Sequence, residues 1–192
     1  MADSPERMSS PGSDASFSTP DPKTGVVYQL RDINKRLVDA WRDSFSEHKN
    51  VKVSHGDIFT GAPAADAIVS PANSFGFMDG GIDMVYSMHF GWQMQDRLQA
   101  LIREEKDGEI LVGEAVIIPV FSEETPESEM ARPNCNEGKP IKYLISAPTM
   151  RIPRKCRKHQ MLIWHSELSY SLFKNTTRGR MLNQSKLFSA LV

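Results

Sequence analysis

A chain of 192 residues with 40% hydrophobic and 24% charged side chains carries enough apolar material for a substantial core, which excludes whole-chain disorder. It contains no run of about 18 or more apolar residues, so no membrane span is expected. The formal net charge of −1 hides a division: residues 1–150 hold 14 Lys+Arg against 23 Asp+Glu, a net of −9, while residues 151–192 hold 9 against the single acid Glu167, a net of +8.

Residues 1–24 are rich in Ser, Pro and Asp and lack the apolar centre of a signal peptide, so they are expected to be disordered. With no export signal, Cys135 and Cys156 read as free thiols in a reducing compartment, cytoplasmic or nuclear. The apolar run Val26 to Asp32 predicts a first strand. Asp32 is placed to cap a following helix, whose core stripe would be Ile33, Leu37, Trp41 and Phe45. "VKVSHGD", from Val51, alternates as a strand entering a turn, and "DAIVSPA", Asp66 to Ala72, reads as a buried strand closed by Pro71. From Ile82 to about Lys106 the pattern is helical, with Val85, His89, Met94, Leu98, Leu101 and Ile102 as its apolar face and Gly91 as a candidate break. Gly113 to Val120 and Lys142 to Thr149 complete the strands, with Phe121 to Lys139 as a surface loop between them. Helices interspersed among buried strands predict an α/β sheet covered on both faces.

The stretch "IVSPANSFGFMDGGIDMVYSMHFG", Ile68 to Gly91, is built like a binding loop. A buried strand delivers Asn73 at its end, where open α/β sheets form crevices. Gly80 and Gly81 let a ligand approach the main chain, and the helix starting near Ile82 or Asp83 offers free N–H groups suited to phosphate. Asn73 offers a donor and an acceptor for sugar hydroxyls, and Asp83 is a candidate to orient or activate water. On these grounds alone an ordinary loop, with Asp83 serving only the helix dipole, competes evenly with a ligand loop.

Three ordered segments carry a family resemblance: "GDIF" at Gly56 to Phe59, "DAIVSPANSFGFMDGGID" at Asp66 to Asp83, and "GEAVIIP" at Gly113 to Pro119. They resemble the macro domain, the Appr-1''-p processing family, over about residues 26–153. The resemblance implies a three-layer α/β/α sandwich with a mixed sheet that binds ADP-ribose or an ADP-ribosylated macromolecule, without a cofactor or metal. Some members of that family hydrolyse ADP-ribose from acidic side chains, nucleic acid ends or small metabolites.

By position, Asp57 resembles the acid that accepts from the adenine amino group, with Ile58 packing beside it. Asn73 resembles the residue that holds the distal ribose. Gly80, Gly81 and Ile82 resemble the loop that passes the diphosphate, and Asp83 resembles the catalytic aspartate, ten positions after Asn73. This chain departs from the family at Ser70 and Pro71, where an asparagine and an alanine are usual, and at Phe77, Met78 and Asp79, which interrupt the glycines. Asp79 is expected to turn outward. No basic residue is expected near the loop, consistent with phosphate binding by main-chain N–H groups.

After "APTMRIP" the resemblance ends, and no second Gly-x-Gly loop follows. The expected organisation is a disordered segment at 1–24, a core at 25–154 and a divergent basic tail at 155–192. Three readings of the tail compete: a divergent end packed on the sheet, a basic segment for nucleic acid around Lys155, Arg157, Lys158 and Trp164, or a spliced or mis-joined end replacing the family's own. The third is preferred. Such a replacement would leave the family fold incomplete at its C-terminus and bare a sheet edge. Besides the hydrolase, two functions therefore stay open: a non-catalytic reader of ADP-ribose marks, and a truncated form with impaired function. The five histidines show no zinc spacing, and neither a Walker loop nor a Gly-x-Ser-x-Gly elbow occurs.

Overall fold

The computed structural model describes residues 25–152 and 189–191. Strand β1 (Val27–Asp32) runs parallel to β2 (Val51–His55), with Tyr28 beside Val51. Strand β3 (Ala67–Ser70) runs parallel to β5 (Tyr143–Ser146), and β4 (Val116–Pro119) closes one edge antiparallel to β5. Between the two groups lies β6 (Ser189–Leu191), parallel to both β1 and β3. The order is β2-β1-β6-β3-β5-β4, one mixed sheet of six strands among the described residues.

Strand alternation sends neighbouring side chains to opposite faces. Leu30 on β1 goes to one face, where it packs with Leu37, Val38 and Trp41 of helix α1 (Lys35–Ser44). Ile68, Leu144 and Ile118 go to the other, under helices α2 (Gly81–Phe90) and α3 (Gln93–Glu105), which contribute Tyr86, Phe90, Met94, Leu98 and Ile102. The architecture is thus α/β with three layers, as the strand and helix pattern implied. All four residues of β3 are buried, which explains why its sequence is an unbroken apolar run.

Several local expectations are corrected. The cap of α1 is Asn34, whose side chain accepts from the Arg36 N–H at 3.1 Å, while Asp32 accepts from the Asn34 N–H at 2.6 Å. The helix therefore starts later than the spacing suggested, and Ile33, stranded in the turn before it, is 74% exposed. Gly91, at φ 104°, ends α2 and separates it from α3, a conformation that favours glycine. The buried face of α2 is Asp83, Tyr86, Ser87 and Phe90, one position away from the anticipated Val85 and His89; Val85 is exposed. The helix is short, and its register is set by what it covers rather than by continuity with α3.

The segment Phe121 to Lys139 is more than a surface loop. It contains a short helix, α4 (Glu127–Met130), and a tight turn at Asn136–Gly138 that buries Cys135 and Asn136. Asn136 accepts from the Ala65 N–H at 2.6 Å and donates to the Ala65 carbonyl at 2.9 Å, as a neighbouring strand would. It also donates to the Lys139 carbonyl at 2.9 Å.

Two predictions follow from this frame. Asn136→Ala leaves the buried Ala65 groups unpaired and is expected to lower stability by about 1–3 kcal/mol, read as a lower urea midpoint. Ending the chain at residue 188 removes β6 and opens the facing edges of β1 and β3. That variant is expected to lose cooperative unfolding, and an unchanged urea transition followed by circular dichroism would contradict a structural role for β6.

Candidate functional site

The five parallel strands share a carboxyl edge, where open α/β sheets form crevices. At that edge β3 ends in Ser70, Pro71 removes the next ladder donor, and the chain crosses to α2 through residues 72–80. Asn73 holds this crossing. Its Oδ1 accepts from the N–H groups of Phe75 at 3.1 Å and Phe77 at 3.2 Å, and its Nδ2 donates to the Phe77 carbonyl at 2.7 Å. Gly76, at φ 70°, lies so close to α3 that an added Cβ would meet Ile102 Cδ1 at 2.8 Å. Met78 is buried beneath the loop, its N–H donating to Gln95 and its carbonyl accepting from Ser87.

The loop then emerges. Asp79, Gly80 and Gly81 are exposed, so Asp79 does face outward as expected, and Ile82 packs against the core from a half-buried position. Gly81 opens α2 at φ 58°, in the left-handed region where glycine is unstrained. The first N–H groups of α2 lie beyond the reach of the helix's own carbonyls.

Asp83 sits in this first turn but points inward and is 7% exposed. The Ser70 hydroxyl donates to its Oδ1. Burial pushes the carboxyl up to about 6, the Ser70 bond opposes that rise, and the negative charge of Asp79 adds to it. A carboxyl titrating near neutrality can exchange a proton with a bound water, which one in its ordinary range does less well.

Asp57 shows the opposite environment. It is exposed, and its Oδ1 accepts from the N–H groups of Thr60 at 2.7 Å and Phe59 at 2.9 Å, which holds it below the usual carboxylate range. Arg31 braces this turn by donating to the carbonyls of Asp57 at 2.6 Å and Thr60 at 3.3 Å. Ile58 packs against the core, and the Phe59 ring stacks on His89 of α2 at 3.7 Å, with edge contacts to Tyr86 and Phe90. The Asp57 turn and the Asn73–Asp83 loop are thus both anchored on α2.

The sequence-predicted residues therefore fall into two groups. Asn73, Gly80, Gly81, Ile82 and Asp83 form one loop and helix start, while Asp57 and Ile58 form a second turn joined to it through Phe59. Three other residues were not anticipated as parts of the site. Ser70 holds Asp83, and Ser146 lies beside Ser70 in the sheet register. Arg151 places its guanidinium 5.5 Å from the Phe75 ring centroid while pairing with Glu109 at 2.8 Å. The loop does have a basic neighbour, brought from 76 residues away in sequence by the strand pair β3–β5, which no local pattern could reveal.

His89 is half-buried, with its ring stacked on Phe59. Burial lowers its tendency to protonate, Arg132 adds to that and Asp57 opposes it. Its Nε2 lies 3.6 Å from Sγ of Cys135, which is a free thiol. Cys156, His159 and His165 lie outside the described residues, as do Lys155, Arg157, Lys158 and Trp164. Among the described residues no cluster of three or more His, Cys, Asp or Glu could hold a metal, and no helix is long and apolar enough to cross a membrane.

No family model and no curated protein matches the chain. Among solved structures it is similar to an Oceanobacillus iheyensis macrodomain, a mutant described with ADPR, at 14% identity and a TM-score of 0.40, over 71% of this chain and 80% of that one.

The electrostatics of Asp83 yield a stability prediction. Its folded value of about 6 lies above the unfolded carboxylate range near 3.9, so the folded state binds the extra proton between these values. The contribution of Asp83 to stability should therefore be greatest below about pH 4, fall as the pH rises through about 6, and level off above it, a loss on the order of 2–3 kcal/mol. Asp83→Asn removes this component. Urea unfolding across pH 4 to 8 is expected to show the variant more stable than the native chain at pH 7, and a parallel pH profile for the two would contradict the burial argument.

Proposed function

We propose that this protein binds ADP-ribose at the carboxyl edge of its sheet and hydrolyses mono-ADP-ribose from a modified target, with Asp83 as the base. The observation that carries this reading is the buried Asp83 carboxyl, held by Ser70 in the first turn of α2, directly behind the exposed Gly80–Gly81 rim. A helix start with an open glycine rim suits a diphosphate through main-chain N–H groups. A carboxyl raised to about 6 is available as a base near neutral pH.

In the proposed reaction Asp83 takes a proton from a water whose oxygen bonds to the anomeric carbon of the distal ribose. The bond from that carbon to the target's carboxyl oxygen breaks, and the target leaves as a carboxylate, which needs no proton at neutral pH. Asp57 would receive the adenine amino group, and its low, backbone-held carboxylate keeps acceptor capacity for that donor. Ile58 would support the same end of the ligand. Asn73 would hold the distal ribose, from a loop that its three hydrogen bonds keep in the shape that presents Gly80 and Gly81.

Titration calorimetry of the full chain with ADP-ribose tests the binding step. Micromolar affinity, about −8 kcal/mol, is expected, with a loss of tenfold or more in Asp57→Ala. Release of ADP-ribose from a mono-ADP-ribosylated acidic peptide tests the chemistry, and Asp83→Asn is expected to abolish turnover while leaving binding within a few fold. Binding without turnover in the native chain would make the protein a reader of the modification. No binding by a cooperatively folded chain would overturn the proposal.

A further inference from the structure

Ser70 and Ser146 are direct partners in the register of the parallel pair β3–β5. Parallel neighbours lie about 4.8 Å apart, and both side chains point to the face that α2 covers. Both residues are fully buried. The Ser70 hydroxyl donates to Asp83, whereas the Ser146 hydroxyl has no hydrogen-bond partner among the described residues. A buried hydroxyl left unpaired is unfavourable, and a purely structural position between apolar neighbours such as Leu144 and Val116 would be better served by alanine or valine. While Ser70 donates to Asp83, its oxygen still has lone pairs free to accept. For the two hydroxyls to meet, Ser146 must turn about its Cα–Cβ bond toward that oxygen.

We propose that Ser146 and Ser70 are positioning residues for Asp83, a two-hydroxyl relay in which Ser146 donates to Ser70 and Ser70 donates to the Asp83 carboxylate. Donation into Ser70 polarises its own O–H and strengthens its bond to the carboxylate. The relay favours the ionised form of Asp83 against burial and against the nearby charge of Asp79. It also fixes Oδ1, leaving Oδ2 to face the water. The other titratable neighbour is Tyr86, which sits on α2 and donates to the Val69 carbonyl at 3.2 Å. The inference rests on Asp83 serving as the base, but its test does not require activity.

The test is a carbon-13 NMR titration of the Asp83 carboxyl in the full chain. The native protein would be compared with Ser70→Ala, Ser146→Ala, the double variant and Ser70→Thr. Ser70→Ala is expected to raise the Asp83 midpoint by about one pH unit, a tenfold weaker acid. Ser146→Ala should raise it by a smaller amount, and the double variant should match Ser70→Ala because the relay acts through Ser70. Ser70→Thr, which keeps the hydroxyl, should return the midpoint toward the native value. A merely structural role for either serine would change stability without moving the midpoint. If Ser70→Ala fails to fold, Ser146→Ala still decides the matter, since an unmoved midpoint there overturns the relay. Midpoint shifts in a chain that shows no turnover would remove the enzymatic reading and leave the relay supported.

Discussion

The burial of one carboxyl group beneath the first turn of α2 constrains everything around it. An acid at a helix start is ordinarily stabilising because the dipole and the free N–H groups favour its charge. Asp83 forgoes part of that benefit by turning into the core, where desolvation raises its affinity for a proton. A structure keeps such a group only when its surroundings hold it in place, and the Ser70 hydroxyl at the end of β3 does so. That bond ties the helix start to the sheet, and the crossing between them must keep the length and shape that allow it.

The loop from Ala72 to Gly80 meets this requirement with groups that have no direct part in chemistry. Asn73 links three backbone groups around Phe75 and Phe77, Met78 plugs the core beneath, and Gly76 lets the chain dip against Ile102. The loop is rigid below and open above. Phe77, Asp79, Gly80 and Gly81 reach solvent while Met78 between them and Asp83 after them are buried. This division explains how a long, partly apolar crossing can present main-chain donors without collapsing onto the sheet. Pairing between Arg151 and Glu109 adds a charged brace over Phe75.

Asp57 and Asp83 illustrate how two carboxyls near one helix acquire opposite characters. Asp57 is exposed and accepts two backbone N–H bonds, so its charge is secured; Asp83 is buried with one hydroxyl donor, so its charge is contested. Phe59, stacked on His89, connects the Asp57 turn to α2, so a shift of that helix would be felt at both carboxyls.

Local chemistry was enough to read much of this chain from its sequence. Unbroken apolar runs marked β3 and β5, alternation marked β2, and Gly91 marked the break between the helices, because these patterns reflect burial and backbone freedom at the residues themselves. The sequence also singled out Asn73, Gly80, Gly81 and Asp83, since their types and order already limit what a loop between strand and helix can do. It misjudged Ile33 and Val85, because a helical stripe is defined only once the first residue and the covering partner are known. It did not reveal Ser70 and Ser146 as a pair, Arg151 over Phe75, Asn136 against Ala65, or the place of residues 189–191 between β1 and β3. Each of these joins segments distant in the chain, and their meeting is decided by strand register and layer packing, which act between elements and leave no local mark in the sequence.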